Sequence, residues 1–182
     1  MNPVTEKTYA SFEPTLDYIV TKIPRWPFDK FESANRLLGT QMKATGEVMA
    51  VGRSLEESLL KAIRSLESDV YHLELNIEKP ISMEELEMQI TKPTDERLFY
   101  LGEALRQGVT IEQIHEWSKI DLFFLYKFER IIALEKKLAE SPFDLELARK
   151  AKQFGFSDKT IAKLWNEKER KVYDWRTENG LV

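Results

Sequence analysis

The sequence predicts a mainly α-helical fold with a small N-terminal β appendage of two short strands, and three features carry that expectation. Residues 41–67, QMKATGEVMAVGRSLEESLLKAIRSLE, pass from strand to glycine turn to helix within one segment. From there to the C-terminus, hydroxyl or aspartate caps alternate with glycine and proline stops, the punctuation of successive helices. The stretch 121–140 then carries more apolar residues than a single helical stripe can hold.

Taken in order, residues 17–23 read as a first strand, stopped by Pro24 and Pro27, since proline lacks the donor N–H and Pro24 restricts the residue before it. Val48, Met49, Ala50 and Val51, in the strand 46–51, form an apolar run suited to burial on both faces, ended by Gly52. Ser54 caps a helix over 54–67. Glu57, three residues on, can answer the cap's own N–H, while Leu55, Leu59, Ala62, Ile63 and Leu66 form one apolar stripe. A loop containing Pro80 leads to Ser82, which caps a short helix with Glu85 at the matching third position. Pro93 precedes a helix over 94–107, with Leu98, Leu101, Ala104 and Leu105 as its face and Gly108 as a left-handed C-cap.

Thr110 caps a short helix bearing Ile111, Ile114 and Trp117, and Asp121 starts the longest helix, which runs to about Glu140. Its first half is so apolar that it requires cover from two sides, which makes Leu122, Phe123 and Tyr126 the candidate interface for a second copy of the chain. Ser141-Pro142 breaks it. Helices over 144–154, 157–165 and 167–178 follow, the first ending at Gly155 and the last at Gly180. The similarity of GVTIEQI and GFSDKTI is the recurrence of a helix–turn–helix connector.

The chain of 182 residues carries 27 basic and 31 acidic side chains, a balance that gives no overall attraction for nucleic acid or an anionic membrane surface. With no cysteine there are no disulfides, thiolate nucleophiles or Cys-ligated metals, and a reducing cytoplasm is compatible. No apolar run is long enough to span a membrane, and MNPVTEK lacks the pattern of a signal peptide.

No constellation for catalysis emerges. His72 falls in an unpatterned loop and His115 between Ile114 and Glu116, neither in a metal-ligand spacing, and neither a GxSxG elbow nor a phosphate-binding GxxxxGK[ST] is present. The carboxylates Glu56, Glu57, Glu84, Glu85, Glu87, Glu135 and Glu140 fall where solvated helix faces are expected. Gly46 and Gly52 shape strand ends or allow close packing. Lys22, Arg25, Lys43 and Arg53, near Trp26 and Phe28, make a small basic cluster among Asp29, Glu32 and Glu47, suited to an intramolecular contact with a domain outside this sequence. Trp117, Trp165 and Trp175 read as core.

Several strings carry a resemblance. FEPTLDYIVTKIPRW from Phe12 to Trp26 and MKATGEVMAVGRS up to Ser54, followed more weakly by Gly108-Val-Thr, Lys119-Ile-Asp-Leu-Phe-Phe-Leu125 and Gly155-Phe-Ser-Asp158, resemble the large subunit of carbamoyl phosphate synthetase. The matched region is the end of its first ATP-grasp unit and its oligomerization domain, with the weakest similarity between Ser68 and Pro93. Two positions depart from the family pattern: Glu6 stands where a turn glycine is usual, and Phe123-Phe124 replaces a tryptophan–phenylalanine pair.

The resemblance implies that residues 1–53 are the tail of the carboxyphosphate ATP-grasp unit and 54–182 the helical oligomerization domain. It implies a noncatalytic scaffold with no catalytic, cofactor-binding or metal residues of its own, because the ATP- and metal-binding acids precede this region. The parent would be a cytoplasmic ligase using ATP with magnesium or manganese, bicarbonate and glutamine-derived ammonia, serving pyrimidine and arginine synthesis. Its partners would be the remaining large-subunit domains, the small glutaminase subunit and further copies of itself, with no nucleic acid and no membrane. A helical nucleic-acid-binding adaptor is the alternative, with the helix over 157–165 as reader; Lys159 and Lys163 give it a thin phosphate footprint.

Overall fold

The computed structural model describes residues 1–11, 16–28, 30–31, 33–75 and 80–181. Phe12 to Thr15 of the resemblance, and Asp29 and Glu32 of the charge cluster, lie outside the described residues. Among the described residues, one two-stranded antiparallel sheet precedes eight helices.

Strands β1 (Ile19–Arg25) and β2 (Gly46–Gly52) pair with Ile19 opposite Gly52 and Arg25 opposite Gly46. β1 thus runs through Pro24, which was expected to stop it. A sheet of two strands has only edges, and there a residue without an N–H is tolerated. Buried on both faces by expectation, β2 is covered on one only: Ala50 is buried, while Met49 is 68% exposed and Val51 points outward. Its inner face packs on α1 (Leu55–Ser65), where Thr21 and Ser58 share a 2.7 Å hydroxyl hydrogen bond. Gly52 is required at this contact, because a Cβ there would stand 2.7 Å from the Ser58 nitrogen.

Helix α1 begins as its cap predicts, Ser54 accepting from the Glu57 N–H. The Glu57 carboxylate, however, accepts from Arg53 N–H at 2.8 Å, one residue upstream of the expected partner, and also binds Lys61. Side-chain caps likewise start α2 (Met83–Thr91) at Ser82, α4 (Ile111–Ser118) at Thr110, α5 (Leu122–Glu140) at Asp121, α6 (Leu145–Gln153) at Asp144 and α7 (Asp158–Trp165) at Ser157. α8 (Glu169–Glu178) lacks one.

The expected helix over 94–107 is shorter, α3 (Arg97–Arg106), with no side-chain cap. Thr94 is instead drawn into a bridge with Leu37, and Leu38 N–H bonds the Pro93 carbonyl at 2.8 Å, so the N-terminal arm holds the backbone extended where helix would otherwise begin. Arg36 fastens the same arm through two hydrogen bonds to Asp95, at 2.8 and 2.6 Å. At the other end of the arm, Glu6 adopts φ +53°, in the left-handed region that glycine favours.

The core forms around α5, which packs against α1, α3, α4, α6 and α7. Leu125, Ile131 and Leu138 from α5 meet Leu60 and Ile63 of α1, Leu101 of α3, Ile114 of α4 and Ile161 of α7 in one buried cluster. Trp165 is buried and donates its indole N–H to the Leu138 carbonyl at 2.9 Å, while Phe143 and Trp175 stack around it. The tryptophans thus serve packing, as expected.

Candidate self-association surface

The outward face of α5 is where the sequence placed the interface. Leu122 is half-buried and packs on the core, whereas Phe123 is 54% exposed and Tyr126 48% exposed. Phe124, also exposed, meets Phe123 edge to face with ring centroids 5.4 Å apart, and the Lys127 ammonium lies over the Phe123 ring. Among the described residues the first half of this helix is therefore covered on one side, by Leu125 and Phe128 turned inward, and the expected second cover is absent from the single chain. Glu129, Arg130, Ala133, Lys136 and Lys137 continue the exposed stripe. Tyr126, Glu129, Ala133 and Lys136 also wall a recess of about 710 Å³ closed on its far side by Gly108–Ile111.

Beneath this face lie charged groups that the sequence reading assigned to solvent. Glu135 is mostly buried and accepts from Arg106 Nε at 2.7 Å, Arg106 Nη2 at 2.7 Å and His72 at 2.8 Å. Burial alone would raise the Glu135 carboxyl, but hydrogen bonds and charge from Arg106 and His72 outweigh it and hold it at about 2. Arg106 also donates to the Leu73 carbonyl, so this cluster ties the loop after α1 to α3 and α5. His72 lies in a loop, as expected, but is 2% exposed there and tilted against Phe156, a structural histidine.

Glu56 corrects the same expectation more sharply, being 0% exposed. Arg130 Nη1 lies 2.8 Å from it as an ion contact rather than an aligned hydrogen bond, with Lys127 3.9 Å away. Both errors have one physical source: a charged residue on an apolar stripe is buried when a guanidinium from another helix reaches it, and that partner is distant in sequence. The stripe itself was the available signal, since Glu56 stands four and seven residues before Leu60 and Ile63, and Glu135 seven after Phe128. A third cluster joins Asp158 to Lys152 at 2.9 Å and Arg176 at 2.8 Å, locking α6, α7 and α8 together.

In the basic cluster near Trp26, Lys22, Lys43 and Arg25 are each engaged close by. Lys22 pairs with Glu47 at 2.9 Å, Lys43 donates to the Asn35 and Leu37 carbonyls, and Arg25 donates to that of Trp26. On α7, Lys159 lies over the Tyr71 ring and Lys163 pairs with Glu74, so both lysines of the nucleic-acid alternative are engaged within the chain. Among the described residues no group of three or more His, Asp or Glu is placed to hold a metal, and no helix is long and apolar enough to cross a membrane.

A helical body organised on one central helix thus leaves an aromatic face open to solvent. The family model described as carbamoyl-phosphate synthetase large chain, oligomerisation domain, matches residues 47–180, and the chain belongs to that family.

Proposed function

We propose that this chain is a noncatalytic scaffold through which copies of the carbamoyl-phosphate synthetase large chain associate, with Leu122, Phe123 and Tyr126 at the contact. One observation carries this reading: an aromatic face left open on the helix that organises the core of a chain from an oligomerisation-domain family. Burying it removes apolar surface from water, at roughly 25 cal/mol per Å². Residues 1–53 would belong to the adjoining ATP-grasp unit, whose sheet would cover Met49 and Val51, and 54–182 to the scaffold.

In the parent, the flanking units would make carbamoyl phosphate from ATP with magnesium or manganese, bicarbonate and ammonia that a small glutaminase subunit releases, in the cytoplasm, for pyrimidine and arginine synthesis. Light scattering over a concentration series tests the association. The chain is expected to pass from monomer to dimer as concentration rises, and Phe123→Ser with Tyr126→Ser to weaken dimerisation at least tenfold, since that loss of burial exceeds about 1.4 kcal/mol. A chain that stays monomeric at millimolar concentration overturns the proposal.

A further inference from the structure

We propose that the seam between the N-terminal arm and the helical bundle holds a binding site for a compact apolar monocarboxylate, an acid whose body is about the size of two fused rings. A cavity of about 320 Å³ lies there. Ile23 of β1, Trp26 just after it and Leu38 of the arm wall it on one side, and Leu98 of α3 with Phe124 and Phe128 of α5 on the other. An apolar cavity of about 150 Å³ takes one benzene ring, so this space suits a body about twice as large. Sites for small molecules share this character, mostly apolar walls with a few placed polar groups.

The polar groups of this wall sit together at the start of α3, and one of them lacks a counterion. Asp95 lines the cavity but gives its carboxylate to Arg36 of the arm, which also holds Glu96. Arg97, in the same wall, makes no ion pair among the described residues: its Nη2 donates to the Ser118 carbonyl, and its Nε is buried without a partner. Burial pushes the Arg97 guanidinium down from its ordinary value. Thr94, also in the wall, keeps a buried hydroxyl with no partner. Orphaned polar atoms of this kind cost stability until something supplies their hydrogen bonds.

These groups select the head of the ligand as the walls select its body. α3 begins without a side-chain cap, so the positive end of its dipole adds to the guanidinium. A carboxylate accepts from both Arg97 and Thr94 as they turn toward the cavity, and it supplies the missing counterion. A neutral molecule leaves the guanidinium unpaired. A doubly charged head would also meet the repulsion of Asp95 and Glu96, which restricts the class to monoanions.

The test titrates the full chain at pH 7 by calorimetry with 2-naphthoate and with 2-naphthylmethanol, its neutral counterpart. The acid is expected to bind saturably and at least about tenfold more tightly than the alcohol, the difference that a charge-assisted hydrogen bond makes. Arg97→Met keeps the apolar stem and removes the guanidinium, so it should abolish this preference and leave the alcohol's affinity unchanged. Leu38→Trp alters only the arm and places an indole in the cavity, so it should remove binding of both compounds. Circular dichroism checks the folding of each variant.

The site is refuted if 2-naphthoate shows no saturable binding, if acid and alcohol bind equally, if Arg97→Met keeps the preference, or if Leu38→Trp binds like the unsubstituted chain. Should Arg97→Met fail to fold, the comparison of acid with alcohol and the Leu38→Trp variant decide by themselves. None of these results bears on the association reading, which light scattering tests separately.

Discussion

Replacing Glu135 with glutamine removes one charge and almost no volume, and leaves the largely buried Arg106 guanidinium with Glu103, 3.5 Å away, in place of the closely hydrogen-bonded pair. Two routes give the size of the effect. The gap between the ordinary carboxyl value of 4.5 and the value of about 2 in the folded protein corresponds to about 3 kcal/mol of stability at neutral pH. Breaking a buried pair by deleting one partner costs about 3–5 kcal/mol, so the routes agree. The sign follows from the direction of the shift. A carboxyl held low by folding stabilises fully above its unfolded value near 4.5, and this contribution fades as pH falls towards 2. Urea unfolding of both proteins between pH 7 and pH 2 is the assay. Glu135→Gln is expected to be less stable by about 3 kcal/mol at pH 7, with the two curves converging towards pH 2. Asp158, also held low against its burial by Lys152 and Arg176, titrates in both proteins and cancels in the difference. Curves that run parallel across the whole range, or a loss at pH 7 under about 0.5 kcal/mol, refute the assignment of Glu135 as a charged tie between the loop and the bundle.

Two other perturbations test the packing. Alanine normally stabilises a helix interior relative to glycine by about 0.5–1 kcal/mol. At Gly102 the sign should reverse, because the new Cβ would stand 2.7 Å from the Leu73 carbonyl oxygen, and thermal unfolding of Gly102→Ala below the parent temperature is the expected result. Limited trypsin digestion should cut first ahead of Arg53, at Lys43 before Lys22 or Arg25, since the latter two lie in paired strands. A first cut inside α5 would contradict the view of that helix as the centre of the fold.

Local chemistry made most elements readable. Ser54, Ser82, Thr110, Asp121, Asp144 and Ser157 each accept the N–H that a cap should accept, and Gly108 and Gly155 take the positive φ expected of helix stops. What escaped were arrangements set by distant partners. The start of α3 is delayed because residues 37 and 38 of the arm claim the backbone at 93 and 94, and nothing near Thr94 in sequence announces that pairing. The burial of Glu56 and Glu135 depends in the same way on Arg130 and Arg106, each on another helix. For the surface the balance is different: excess apolar residues in 121–140 pointed to an open face, and Phe123 and Tyr126 form it. Only the three-dimensional arrangement showed that Leu122 is largely spent on the chain's own core.

The central position of α5 has a consequence for synthesis on the ribosome. Its partners lie on both sides in sequence: α1, α3 and α4 emerge before it, α6 and α7 after it. A nascent chain that has released residues up to 140 can lay the earlier helices against α5, but Leu138 must wait for Trp165 and Ile161 to seal the other flank. At about 5–20 residues per second, that interval lasts one to several seconds. During it the molecule exposes both the stripe destined for its own interior and the open face that carries Phe123 and Tyr126. Two chains emerging side by side on one message would meet in that window, before either has finished distinguishing self from partner.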